Sequence, residues 1–107
     1  VEQTLIRGNI QGSWLLGVTL SPSSVGANTT AEQTFTVNGL LTSDYVNVTK
    51  PTTQAGLGIV NARVSAANTL AITFANATAS PIVPTAAEVY LVAVDRPSTL
   101  PLPSQIQ

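Results

Sequence analysis

Alternation of apolar and polar residues with a period of two, broken every eight to twelve residues by turn formers, constrains this chain more than any other feature. The clearest run is Ser13–Leu20, where Trp14, Leu16, Val18 and Leu20 fall on one face of a strand. Thr30–Val37 follows, with Thr34 and Thr36 on one side and Phe35 and Val37 on the other, and it ends at Asn38-Gly39, a pair in which both residues tolerate positive φ. Asp44–Thr49 is a third strand, closed by Lys50-Pro51. Ile59–Ser65 and Thr69–Ala75 form a hairpin about Ala66-Ala67-Asn68; Val60, Ala62 and Val64 share one face of the first strand, and Leu70, Ile72 and Phe74 one face of the second. Glu88–Val94 is apolar on both phases, the pattern of a central strand covered on both sides, by the fold or by a neighbouring subunit. No stretch carries a helical period, and Thr, Val and Ile are the residues of strands. The expected fold is all-β, a β-sandwich or jelly roll over residues 13–96. An N-terminal arm (residues 1–12) precedes it, and a Pro-rich C-terminal tail (residues 97–107) follows in polyproline-II-like extension.

Chemistry is limited by what the chain lacks. Only 8% of its 107 residues are charged, with no Cys, His or Met, against about 25% charged residues in an ordinary soluble domain. Absent His removes the usual proton shuttle and the commonest metal ligand; absent Cys removes thiolate chemistry, disulfides and structural zinc. No cofactor is expected. Four cations, Arg7, Lys50, Arg63 and Arg96, are scattered along a chain of net charge −1, which argues against nucleic acid. No run approaches the ~20 apolar residues of a membrane span, and no secretory signal is visible at Val1–Thr4. A folded chain of 11.0 kDa exposes roughly 5,600 Å². Nine charged side chains cannot cover that area, and a mean hydropathy of +0.30 points to a subunit interface as the sink for apolar surface.

Each reactive candidate has a plainer structural reading. Glu2, Glu32, Asp44, Glu88 and Asp95 contain no pair that spacing selects for glycoside hydrolysis; they read as solvated or capping carboxylates, with Asp95-Arg96 closing the last strand. A Ser–Lys dyad would have to use Lys50, which reads as a solvated strand-end residue. Gly56-Leu57-Gly58 lacks the remainder of a phosphate loop and reads as an inter-strand loop. The sequons at Asn28, Asn47 and Asn76 read as accidents of an Asn- and Thr-rich chain. Of the five aromatics, most are needed in the core, and Tyr45, on the polar face of its strand, is the best candidate for the surface.

From Ala31 to Val94 the chain carries a resemblance. Its marks are Thr36-Val37-Asn38-Gly39-Leu40, the strand Asp44–Pro51, Ala55-Gly56-Leu57-Gly58, and the hairpin Val64–Phe74. In these it resembles the small β-rich virion proteins of tailed bacteriophages: capsid decoration (cement) proteins and related head- or tail-fibre domains. The resemblance covers about three-fifths of the chain and implies no catalytic residue and no metal. It implies a virion structural protein on the capsid exterior, made in the host bacterial cytoplasm, that forms a homo-oligomer (trimer favoured, dimer admitted) and bridges units of the major capsid protein. Interface candidates are Trp14, Leu16, Tyr90 and Val92 on the strands, and Pro97, Leu100, Pro101, Leu102 and Pro103 in the tail. A fibre module binding surface glycan through Tyr45, Asn47, Thr49 and residues 52–58 is the alternative; a small hydrolase is the third.

Overall fold

The run that is apolar on both phases lies at the centre of a sheet. In the computed structural model, which describes residues 9–98, six strands occur in the order β1 (Ile10–Leu20), β2 (Thr29–Thr36), β3 (Tyr45–Thr49), β4 (Leu57–Ala66), β5 (Thr69–Asn76) and β6 (Glu88–Pro97). They form two three-stranded antiparallel sheets, ordered β1-β6-β3 and β2-β5-β4. The described residues contain no helix. One apolar core joins the sheets: Val46, Tyr90, Val92 and Val94 come from the first, and Val64, Leu70, Ile72 and Phe74 from the second. Burying side chains of this size contributes about 1.5–3 kcal/mol each, so the eight central positions dominate the cohesion of the domain.

Several boundaries move, each for a local reason. β1 begins at Ile10 rather than Ser13, so residues assigned to the arm are part of the ladder. Gly12 permits this, because a Cβ there would lie 2.6 Å from the Trp14 ring. β6 likewise runs through Arg96 to Pro97, which pairs with Ile10. A proline is tolerated there because it ends the strand, and beyond it the Ser98 amide donates to the Asn9 carbonyl (2.5 Å). The rest of the expected arm and tail lies outside the described residues.

The expected face of β4 needs correction. Ile59 pairs with Phe74 and Asn61 with Thr73, leaving Val60 as the extra residue of a bulge. The bulge shifts the phase, so Leu57 and Ile59 join Ala62 and Val64 against the core. Val60 is turned outward and is 61% exposed. Asn38-Gly39 is a turn, but it carries the chain from one sheet to the other rather than closing a hairpin, and only Gly39 takes positive φ (+99°). Asn68, at φ +61° in the β4–β5 turn, secures this crossover. Its carbonyl accepts from Val37 N (2.9 Å), its Oδ1 accepts from Gly39 N (2.7 Å), and its amide donates to Leu40 O (2.9 Å).

Candidate interaction surface

On the β1-β6-β3 sheet, the even positions of β1 and β6 face the core and the odd positions face out. Registers Leu15↔Ala93, Gly17↔Leu91 and Thr19↔Val89 place Leu15, Ala93, Leu91 and Val89 together on the outer face. Leu15 is 69% exposed, Val89 49% and Leu91 43%. Gly17 leaves room for the Val89 side chain, whose Cγ1 would lie 3.2 Å from a Cβ at that position. Tyr45, Asn47 and Thr49 continue the same face across β3 as its polar border, with Tyr45 exposed as the sequence suggests. Residues 52–58, the other half of the proposed glycan platform, run from the Lys50 ion pair into β4, which already contains Leu57 and Gly58.

The interface candidates divide accordingly. Trp14 is exposed at the open end of the inner face, and Leu16 is half-buried beside it. Tyr90 and Val92 are wholly enclosed in the subunit's own core; an inward phase of the central strand cannot reach a neighbour. The residues of β6 that can are Val89 and Leu91, which the double-faced pattern contains. Leu15 was missed because it lies on the polar phase of β1, between Trp14 and Leu16. Pro97 is half-buried at the end of β6. Leu100, Pro101, Leu102 and Pro103 lie outside the described residues.

Each described charged side chain has a bonding partner within the chain, six of them in ion pairs and Asp95 on the Ser13 hydroxyl. Asp44, its side chain fully buried, accepts two bonds from Arg96 (2.7 and 2.8 Å) and one from the Leu41 amide (2.9 Å). Arg96 also donates to Gly39 O (2.8 Å) and lies 4.9 Å above the Trp14 ring, a cation–π arrangement. The Arg96 guanidinium, opposed by burial and aided by the Leu41 amide, holds the Asp44 carboxyl below its ordinary range. Trp14, Gly39 and Arg96 border a cleft of about 270 Å³ at this corner.

Lys50 is not a solvated strand end. Its ammonium lies 3.0 Å from Glu88 Oε1 and donates to both the carbonyl and the hydroxyl of Thr52 (3.0 Å each). Thr52 in turn donates to the other Glu88 oxygen. Thr52 and then Lys50 hold the Glu88 carboxyl below its usual value against the opposing effect of burial. Glu32 and Arg63 meet in a two-bond pair across the outer face of the other sheet (2.8 and 3.0 Å). Asp95 accepts from the Ser13 hydroxyl (2.8 Å) rather than closing β6 with Arg96.

Among the described residues no three His, Cys, Asp or Glu gather as a metal site. No described helix is long and apolar enough to cross a membrane. Asn76 is 2% exposed and donates to Val25 O and Ser80 O (3.1 and 2.8 Å), which makes its sequon a structural motif rather than a glycan acceptor. Comparison with known proteins returned no matching family, no similar characterised protein and no similar solved structure.

Proposed function

We propose that this chain is a viral structural protein, a capsid decoration protein that joins copies of itself on a phage head and stabilises it by bridging units of the major capsid protein. The observation that carries the reading is the outer face of β1-β6-β3. Leu15, Leu91 and Val89 stand open on it, while every described ionic side chain is already engaged within the subunit. Such a surface gains from covering apolar area, at about 25 cal/mol per Å², and offers no poised acid, base or nucleophile. Many modest contacts become strong when repeated on a symmetric lattice, and a protein that binds only the assembled shell stabilises it by mass action.

The strand order supports a jelly-roll reading of the two sheets. A full jelly roll is a long antiparallel hairpin of eight strands rolled into two layers. Removing its fifth and sixth strands, one edge strand from each layer, leaves first-last-third in one layer and second-fifth-fourth in the other. Those are the orders β1-β6-β3 and β2-β5-β4. We read the domain as this shortened jelly roll, a two-sheet sandwich.

The test is addition of the purified chain to phage heads that lack it, with particle imaging. Hundreds of copies in lattice symmetry, and heads more resistant to heat, are expected. A handful of copies at one vertex, or none, overturns the reading. The exposed Tyr45 ring with Asn47 and Thr49 on one face is what favours the alternative, a fibre module for surface glycan. Glycan-array binding abolished by Tyr45→Ala, without uniform coating of heads, would establish that alternative instead.

A further inference from the structure

We infer that β1 is a docking edge for a second copy of this chain, antiparallel to itself about a twofold axis at Leu15. Among the described residues, the two three-stranded sheets leave four strand edges open. An open edge presents a row of unpaired N–H and C=O groups, and folded proteins blunt such edges with charge, bulges or brevity. Three of these edges are blunted. β2 carries Glu32 at its centre, and its Gln33 side chain clamps the backbone of Ser23 (2.7 and 2.8 Å). β3 is five residues long and lies against β4. β4 has two bulges and carries Arg63.

β1 has none of these protections over most of its length. It is the longest strand, eleven residues, with no charge and no proline, and its one irregularity is confined to Ile10–Gly12. Among the described residues, no backbone bond other than the ladder with β6 reaches Gln11–Thr19. The occupant of such an edge is another strand, because only a strand satisfies the row of backbone groups.

The sequence of β1 fits itself in the fully overlapped antiparallel register. On the outer face Leu15 meets Leu15 of the second copy, Ser13 meets Gly17, and Gln11 meets Thr19. On the inner face Trp14 meets Leu16, Gly12 meets Val18, and Ile10 meets Leu20. Every pair is neutral, so no like charges face each other. The bulky residues, Trp14 among them, meet Leu or each other, and each glycine faces a β-branched or small residue. The two exposed Leu15 side chains come within the ~5 Å of a directly opposed cross-strand pair. The outer apolar faces then merge into one continuous six-stranded surface. The inference rests on the assembly reading for its premise that the chain joins to itself, and it selects a dimer, since a threefold axis cannot pair a strand with itself.

The experiment uses the full chain in solution without capsids. Multi-angle light scattering or sedimentation across micromolar concentrations is expected to give twice the 11.0 kDa chain mass. Leu15→Lys sets two cations opposite each other at a position already 69% exposed, so the fold is retained (checked by circular dichroism) while dimerisation weakens at least tenfold. Val60→Lys, at a position 61% exposed on β4, leaves the dimer unchanged. Amide exchange in wild type slows at alternate β1 residues and recovers in Leu15→Lys. A monomer at all concentrations, a trimer, or a dimer that Leu15→Lys leaves intact overturns the inference, as does β1 protection in a monomer, which would mean that another part of the same chain covers the edge. A dimer that forms as described yet ignores phage heads would instead defeat the capsid reading and leave this one standing.

Discussion

Tyr90→Phe is expected to stabilise the protein, against the general rule that core substitutions destabilise. Tyr90 is wholly enclosed, opposite Val18 in the β1–β6 ladder, and among the described residues its hydroxyl has no hydrogen-bond partner. In the unfolded chain that hydroxyl is hydrated, so folding bears a desolvation cost of about 1–3 kcal/mol without compensation. Removing the oxygen vacates on the order of 10 Å³, worth about 0.2 kcal/mol at ~24 cal/mol per Å³ of cavity. The net gain is about 1–3 kcal/mol, or roughly 4–12 °C in Tm for a domain of this size. Thermal and urea unfolding measure it, the latter as a higher midpoint at unchanged slope. The pH profile supplies an independent arm. Burial, with a contribution from the Glu88 carboxylate, pushes the Tyr90 phenol up to about 12 from 10.0. The folded state therefore holds this proton more tightly than the unfolded state. The corresponding stability is complete below pH 10 and disappears as pH rises towards 12. The Phe variant lacks that alkaline decline. A lower Tm for Tyr90→Phe at neutral pH would refute the reasoning, for it would show the hydroxyl to be bonded, to an internal water for instance.

Three further expectations follow from the same geometry. Asp44→Asn keeps the shape but removes the charge that Arg96 grips, and should cost roughly 2 kcal/mol in chemical denaturation; unchanged stability would show the corner to be dispensable. Asp44, Glu88 and Glu32 all have carboxyls held below their ordinary values of 3.8, 4.5 and 4.5, so their contribution is present above about pH 4.5 and is lost as acid carries the pH down through the folded-state values. Acid titration followed by circular dichroism should show that decline, shallower in Asp44→Asn. Gly56→Ala should lower Tm by several degrees, because Gly56 sits at φ +83° and a Cβ there collides with the Thr78 methyl; an unaltered Tm would mean that the 52–58 segment rearranges at little cost.

Strand existence was legible because side chains alternate in a half-buried sheet, and the central place of β6 was legible because Val89 and Leu91 fill its second phase. Two kinds of feature were not. Bulges shift phase without altering composition: nothing in Val60 distinguishes an outward residue from an inward one until Ile59 and Asn61 take successive partners on β5. Long-range pairing is equally hidden. Asp44 with Arg96 and Lys50 with Glu88 are joined only by the return of β6 beside β3, and residues that read as solvated termini of strands became buried contacts. Asn38-Gly39 signalled a turn correctly, but whether a turn closes a hairpin or crosses between sheets depends on what β2 and β3 pair with next, and that is a property of the whole fold.

The distribution of charge bears on how such a subunit could recognise anything. Its three described cations pair with three of the four described carboxylates, and the fourth, Asp95, is held by Ser13. Each ion pair joins segments far apart in sequence, so charge acts here as internal fastening rather than as an outward field. Without a strong field, diffusional encounters are not steered, and association proceeds at the slower rates of neutral surfaces. In the proposed dimer, salt would screen little of what holds the two copies together, because apolar burial and backbone pairing remain when ionic contacts are weakened. Orientation must come from a directional element instead. A bare strand edge is such an element: slipping the two copies by one residue would set the Leu15 face of one beside the core side of the other and separate every matched pair. In the proposed dimer, the register of β1 would perform the discriminating role that charge complementarity performs at other interfaces.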